Sequence, residues 1–378
     1  MPAYLDNAAT TRVRPEAAAA AVRAMTEEYG NPSSGYAPGR AAAAALERHR
    51  AVVADALGCR SGELYFTSGG TEGDNWAVSI AATLGRRKGS HIITSAIEHS
   101  AVLEPVKALE RQGCDVTFLS PGKNGRISAG ALKEALRPDT ILVSLMLVNN
   151  ETGAIQPVAL AAEAIWEAGA PALLHTDAVQ GFLKVPFTPE QLGADLLTVS
   201  GHKIGAPKGI GALYIRSGLK APPLLRGGGQ ENGLRSGTEA TAQIAALAAA
   251  CAGGRERLAE GSAHMRGLKE YTLSILTRAL PQLVVVSEGD APHICAVALP
   301  GYPSEMLVRE LSDRAVYVSS GSACHKGKPS HVFAALGLPK RVLMGALRIS
   351  FSPDNTKDDV HALRDALVQI TQERIAMR

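Results

Sequence analysis

The residue with the most chemistry to offer is a lysine placed directly after a buried run. Ser200-Gly201-His202-Lys203 follows the apolar stretch Leu196–Val199. Burial at such a place disfavours the ammonium form and lowers the amine's pKa, which turns a lysine into an imine-forming nucleophile. For an arbitrary lysine a solvated loop is the better reading, because lysines are rarely fully buried. Here the neighbours shift the balance. Asp177 closes the preceding run, in His175-Thr176-Asp177-Ala178-Val179-Gln180. Thr67-Ser68-Gly69-Gly70-Thr71-Glu72 follows another run and opens a helix, where small residues let backbone N–H groups approach an anion. Glu98-His99-Ser100 and Asn149-Asn150-Glu151-Thr152-Gly153 stand at two further strand ends. Each has an ordinary reading alone: a helix N-cap for the Asp, a turn and cap for the Gly-Gly-Thr-Glu, a structural role for the His.

Five strand ends carrying such groups fit one cofactor, pyridoxal 5′-phosphate. An acid such as Asp177 keeps its pyridine nitrogen protonated, so that the ring works as an electron sink. Gln180 suits the ring's phenolic oxygen, Gly70 and Thr71 the phosphate, and His99 stacking on the ring and moving protons. Asn149 suits a substrate carboxylate or the ring oxygen, and Lys203 carries the cofactor as a Schiff base. Further along, Ser319-Ser320-Gly321-Ser322-Ala323-Cys324 is followed by His325, Lys326 and Lys328. A free cysteine is usually a small buried hydrophobe. This context instead predicts an exposed, cation-rich loop, in which nearby cations raise the thiolate fraction above the few per cent of a free thiol with pKa about 8.5.

These groups need a frame to hold them. Short apolar runs (Leu64–Thr67, His91–Thr94, Val116–Leu119, Ile141–Val148, Ala172–His175, Leu196–Val199, Gly211–Ile215) alternate with helical segments (Ala17–Tyr29, Ala41–Leu57, Thr71–Leu84, Ala101–Gln112, Ala129–Ala135, Ala159–Ala168). Runs apolar throughout, rather than alternating, predict a sheet buried on both faces. The rhythm predicts an α/β fold with a mostly parallel central sheet, helices on both faces, and ligand groups at the strands' carboxyl ends. Leu224–Ser236 is Gly-rich and reads as a functional loop before a helix over Thr241–Ala252. Beyond it the texture changes to helices separated by the short strands Val284–Val286, Ile294–Ala298 and Arg348–Phe351. The expected organisation is an arm over residues 1–14 packing with the small domain, a large cofactor-binding domain over 15–254, and a smaller α+β domain over 255–378 that carries the cysteine loop.

Composition narrows the class. The 378 residues fit two domains at roughly 150 residues each and can bury a sizeable core. A formal charge of +3 is too balanced to argue for nucleic acid or an anionic membrane. Five cysteines, an odd number with no Cys-x-x-Cys pair, argue against a disulfide framework and against a zinc site on paired thiolates. No apolar run approaches the roughly 20 residues of a membrane span, and the first residues show no apolar secretory core. The expectation is a cytoplasmic protein that needs no metal.

Taken in order, Leu5-Asp6-Asn7-Ala8-Ala9-Thr10-Thr11, Gly70-Thr71-Glu72-Gly73-Asp74-Asn75, Glu98-His99, Asn149-Asn150-Glu151-Thr152-Gly153, Asp177-Ala178-Val179-Gln180, Ser200-Gly201-His202-Lys203 and Arg235-Ser236-Gly237-Thr238-Glu239 resemble the motifs of cysteine desulfurases. These belong to the class V aminotransferase group of fold-type I pyridoxal-phosphate enzymes. The resemblance spans about Leu5 to Phe351. It implies that Lys203 bonds the cofactor, Asp177 pairs with the pyridine nitrogen, Gln180 with the ring oxygen, and His99 stacks on the ring. It implies that Gly70, Thr71, Ser200 and His202 bind phosphate, with Asn149 also near the cofactor, and that Thr238 reaches the phosphate of a partner subunit in a homodimer. Arg348, with Asn149 and Asn7, would bind substrate, and Cys324 would take the sulfur as a persulfide. The implied reaction converts L-cysteine to L-alanine and passes the sulfur to an acceptor protein, an iron–sulfur scaffold or a thiolation enzyme. Cys324 would be the only metal-facing residue, through a transient iron–sulfur contact. The Cys324–Pro329 stretch is shorter and richer in His and Lys than in relatives that feed iron–sulfur scaffolds. Selenocysteine lyase, another class V lyase or aminotransferase, and a non-catalytic partner-binding homologue stay open at this point.

Overall fold

The computed structural model describes residues 2–320 and 330–374. Strands in chain order are β1 (Ala3–Tyr4), β2 (Leu64–Thr67), β3 (His91–Ser95), β4 (Asp115–Leu119), β5 (Thr140–Ser144), β6 (Leu173–Asp177), β7 (Leu196–Ser200), β8 (Gly211–Ile215), β9 (Val284–Ser287), β10 (Ile294–Ala298), β11 (Val316–Tyr317), β12 (Ser319–Ser320) and β13 (Ala346–Ser350). The helices used below are α1 (Pro15–Thr26), α2 (Ala37–Leu57), α3 (Gly70–Gly85), α4 (Ser100–Arg111), α5 (Ala129–Ala135), α6 (Val158–Ala168), α7 (Pro189–Leu192), α8 (Thr241–Glu256), α9 (Leu258–Ala279), α10 (Ser304–Asp313) and α11 (His331–Ala335).

The central sheet has seven strands in the order β2-β8-β7-β6-β5-β3-β4. β3 through β7 run parallel, and β8 is antiparallel to both neighbours. β3, β5, β7 and β8 are buried at every residue. Covered on both faces, such strands have no solvent face to mark with polar residues, which is why they read as unbroken apolar runs. The run Ile141–Val148 departs from the expected strand. β5 ends at Ser144, and Leu145 and Leu147 go on donating to the β6 carbonyls of His175 and Asp177. Met146 N–H turns to the Glu98 carboxylate instead, because β3 has already ended. The chain therefore stays extended but drops out of the regular ladder.

A second core gathers Cys295, Val297, Leu347 and Ile349 with Leu268, Leu311 and Leu363, around the four-stranded sheet β12-β13-β10-β9. Ala3 and Leu5 of the N-terminal arm belong to this cluster. β1 pairs parallel with β11, and Asp6 bridges to Ser350. The arm then crosses to the central sheet: Thr11 N–H donates to the His202 carbonyl at 2.8 Å and Arg14 N–H to the Gly205 carbonyl at 2.9 Å. It is a strap between the two cores.

The Gly-rich loop is anchored by a buried ion pair. Arg50 of α2 donates from both terminal nitrogens to the two Glu231 oxygens, at 2.8 Å each, and Phe66 N–H donates to the same carboxylate. Glu231 and Asn232 have positive φ, 48° and 55°, a costly backbone for side chains that bear a Cβ. The bidentate pair holds the turn in place and so fixes the stretch leading to Thr238.

Candidate active site

Five functional segments meet at the carboxyl ends of the parallel strands. β2 leads to the α3 N-terminus, β3 to His99, β5 to Asn149, β6 to Asp177, and β7 to Ser200 and Lys203. α3 begins with Gly69 at its N-cap, with no side-chain cap, so its first N–H groups have no intrahelical acceptor. Gly69 has φ 151°, a conformation that L side chains rarely adopt. A Cβ on Gly70 would stand 3.0 Å from the Val179 side chain and 3.7 Å from Ser200 Cβ. The glycines therefore keep open a space bounded by free backbone donors, Ser200 and the exposed Thr71, which fits a phosphate dianion. Glu72, which would repel that charge, is held by Arg235 (Nε–Oε1 2.9 Å) and accepts from Ser68.

Asp177 is 6% exposed and accepts from Val179 N–H at 2.9 Å. Burial first, then the Asp74 carboxylate, push its carboxyl up to about 7. A cation seated beside it, such as a protonated pyridine nitrogen, restores the carboxylate. His99 caps α4, its Nδ1 accepting from Ala101 N–H at 3.1 Å. The neutral ring thus carries its proton on Nε2. The residue is exposed at the surface, and desolvation by the protein packed around its ring lowers its pKa.

Lys203 Nζ donates to the carbonyls of Ala8 and Ala9 in the arm, both at 2.7 Å. Burial, and then the nearby Arg348 guanidinium, bring its pKa down to about 8. Uptake of pyridoxal phosphate by cofactor-free protein needs the neutral amine. We expect the uptake rate to rise with pH through about 8 and level above it. A free lysine would still be climbing near its ordinary 10.4. Rapid-mixing absorbance at a series of pH values checks this, and a midpoint above 10 would overturn it. His202, beside Lys203, is held down at about 4 by burial and by that lysine, with Nδ1 3.2 Å from the Thr10 hydroxyl.

The other expected ligands are present, but several are already engaged. Gln180 Nε2 donates to the Ala8 carbonyl at 2.9 Å, leaving one N–H for a ring oxygen. Asn149 is fully buried; its Nδ2 faces the Ile97 carbonyl and Met146 Sδ, and its Oδ1 accepts from Glu151 N–H, Thr152 N–H and the Thr152 hydroxyl. Its side chain builds the turn and has no spare donor. Asn7 likewise spends its amide on Tyr4, Ser350 and Asn355 at the arm seam. Thr238 is exposed, two residues along the chain from the end of the Gly-rich loop. Arg348, 7% exposed on β13, donates to the Asn150 carbonyl at 3.0 Å and to Asp6 at 2.8 Å. Cys324, with its cation-rich neighbours, lies outside the described residues. Just after that stretch, His331 of α11 approaches the Glu98 carbonyl at 3.0 Å.

Sequence reasoning missed three buried groups here. Glu98 is fully buried and pushed up to about 8, and Glu151 is raised to about 7, each chiefly by burial. Lys184 is buried with no hydrogen-bond acceptor among the described residues, and burial brings it to about 7. For Lys184 the hint was a charge inside an apolar stretch; Glu98 and Glu151 stood within segments already singled out, with nothing to mark them as buried. No cluster of three or more metal-type ligands occurs among the described residues, and no helix there is long and apolar enough to cross a membrane.

A parallel sheet with an amine, an acid and a phosphate cradle at its carboxyl edge defines a pyridoxal-phosphate transferase. The chain belongs to the aminotransferase class-V family, whose model matches residues 3–363. Among curated relatives, the cysteine desulfurase IscS of Methanosarcina thermophila is 42% identical over 376 residues, covering 98% of this chain and 92% of the relative. Its namesake from Clostridium botulinum is 36% identical over 380 residues, covering 99% and 95%. A solved NifS-like protein superposes with a TM-score of 0.94 at 35% identity, covering 99% of this chain and all of the other. SspA, solved in complex with cysteine, matches with a TM-score of 0.81 at 34% identity, covering 93% of this chain and 99% of that one.

Proposed function

We propose that this chain is a pyridoxal-phosphate-dependent cysteine desulfurase, which moves sulfur from L-cysteine to Cys324 and releases L-alanine. The observation that carries the reading is the convergence of Lys203, Asp177, His99 and the α3 N-terminus at one sheet edge, in a chain 36–42% identical to proteins named cysteine desulfurase IscS. When bound, pyridoxal phosphate supplies an electron sink for the carbanion at the substrate's Cα. The rest is done by side chains. Gly70, Thr71, Ser200 and His202 would hold the phosphate, Asp177 the pyridine nitrogen and Gln180 the ring oxygen, while Asn149 builds the turn after β5. Arg348 binds the substrate carboxylate, and the arm at Asn7 closes the pocket around it. The Lys203 amine would remove the Cα proton, and His99, with its proton on Nε2, would relay protons.

The Cys324 thiolate attacks the substrate sulfur. An S–S bond forms as the C–S bond breaks, and the electron pair left on carbon takes a proton to become the methyl group of alanine. The persulfide sulfur then passes to an acceptor thiol by exchange. We infer an acceptor in iron–sulfur assembly or thiolation, with Cys324 as a transient iron–sulfur contact. We also infer the division into an arm (1–14), a large domain (15–254) and a small domain (255–378). A homodimer is supported by the exposed Thr238 and, separately, by the exposed apolar residues Val22 and Met25 of α1 and Tyr29 just after it. A cytoplasmic setting suits chemistry that needs reduced thiols. The test is incubation with L-cysteine, measuring alanine by chromatography and the mass of the Cys324 peptide. Alanine in step with one added sulfur on that peptide is the expected result; alanine-free turnover or an unmodified peptide would overturn it.

A further inference from the structure

Arg348 is gripped before any substrate arrives. Its guanidinium offers five N–H donors and accepts nothing. One terminal nitrogen donates to the Asn150 carbonyl at 3.0 Å and the other to Asp6 Oδ1 at 2.8 Å. Its Nε–H is buried and has no acceptor among the described residues. Two donors are therefore spent on fixing the plane, and Nε with the remaining terminal N–H groups is left for an incoming ligand. A guanidinium held in one plane loses less rotamer freedom when it closes on a planar carboxylate.

Asp6 is itself placed with precision. It bridges to Ser350, two residues along β13 from Arg348 and on the same face of that strand. On either side the arm is tied to Ser350: Ser350 N–H donates to the Leu5 carbonyl, Asn7 Nδ2 to the Ser350 carbonyl, and Ala8 N–H to the Ser350 hydroxyl. Two residues further on, the carbonyls of Ala8 and Ala9 receive the Lys203 amine. One short segment thus sets both the arginine and the lysine. The Asp6 side chain is 20% exposed, against 8% for Arg348, so the carboxylate is the more solvent-accessible member of the pair.

We propose that Asp6 is a positioning residue for substrate recognition: it fixes the Arg348 guanidinium so that its unspent donors form a bidentate site for an α-amino acid carboxylate. This rests on the desulfurase reading and on Arg348 as its carboxylate clamp. The matched probes are L-alanine and ethylamine, the same amine with and without the carboxylate and without a thiol that engages Cys324. Their affinities for the holoenzyme are read from the change in its visible absorption.

In Asp6→Asn, L-alanine affinity is expected to fall about tenfold, the worth of one oriented charge-assisted contact, while ethylamine affinity is unchanged. KM for L-cysteine rises with kcat within twofold. In an Arg348→Lys background, which keeps the charge but loses the fork, Asp6→Asn has no further effect on L-alanine. Unchanged or tighter L-alanine binding in Asp6→Asn would make Asp6 idle or a competitor, and would overturn the proposal. So would equal weakening of both probes, which marks a disturbed arm, or full additivity with Arg348→Lys. A wild-type holoenzyme that responds to neither probe would overturn the desulfurase reading and this proposal with it; a wild type that responds to both while Asp6→Asn matches it removes the proposal alone.

Discussion

Lys203→Ala is expected to abolish turnover of L-cysteine, with a loss on the order of 10⁴-fold or more, because in the proposed mechanism one amine serves both as the cofactor's covalent anchor and as the base at Cα. Borohydride treatment of wild-type holoenzyme should fix the cofactor's mass on the peptide containing Lys203, and the alanine variant should carry none. The substitution is expected to leave the fold intact. The amine's two acceptors are arm carbonyls at the pocket; the Ala8 carbonyl keeps the Gln180 donor, and the arm keeps its bonds from Thr11 to His202 and from Gly205 to Thr11. Lys203→Arg should not rescue, since guanidinium stays protonated and cannot act as a nucleophile. A small added amine should restore part of the proton transfer, because cutting the side chain back leaves room near the carbonyls. Turnover above a tenth of wild type in Lys203→Ala would place the chemistry on another group, with Lys184 the next buried amine to examine.

The site's groups were legible because each follows a strand, and strands buried on both faces announce themselves as apolar runs. β7 then Lys203, and Asp177 as the last residue of β6, needed only local pattern. What stayed hidden is non-local. Arg348 and Asp6 are 342 positions apart, and Arg50 and Glu231 are 181 apart; no periodicity links such pairs. Asn149 shows the opposite limit. Its place at a strand end is visible in the sequence, but its Oδ1 is consumed by its own turn and its Nδ2 by Ile97 and Met146, which only the packed structure reveals. The run to Val148 read as one strand because Leu145 and Leu147 are apolar and still paired to β6. The break lies on the other edge, where Glu98 takes the Met146 N–H. Buried charges such as Glu98 and Lys184 look like surface residues to composition, since only the packed structure removes their water.

Cys324→Ala is expected to separate binding from sulfur transfer. The variant should keep the spectral response to L-cysteine, because Lys203, Asp177 and Arg348 are untouched, while alanine formation falls on the order of 10³-fold or more, as when an enzyme's nucleophile is removed. No described cysteine can stand in. Burial pushes the Cys59 and Cys295 thiols up to about 12, and it raises Cys114 and Cys251 as well. At neutral pH all four remain thiols, and the thiolate is the attacking form. Cys59→Ala is the matched control and should stay close to wild type. Mass spectrometry after a cysteine pulse should find added sulfur on the Cys324 peptide of wild type and of Cys59→Ala, and none on the four other cysteines. If Cys324→Ala kept forming alanine at the wild-type rate, the thiol would be unnecessary, and the same Lys203 and Asp177 would be serving a lyase or a transaminase. That outcome is chemically open because, in the proposed mechanism, those two residues fix only the cofactor's chemistry. Which bond breaks at the substrate's β-carbon depends on a thiolate arriving at its sulfur.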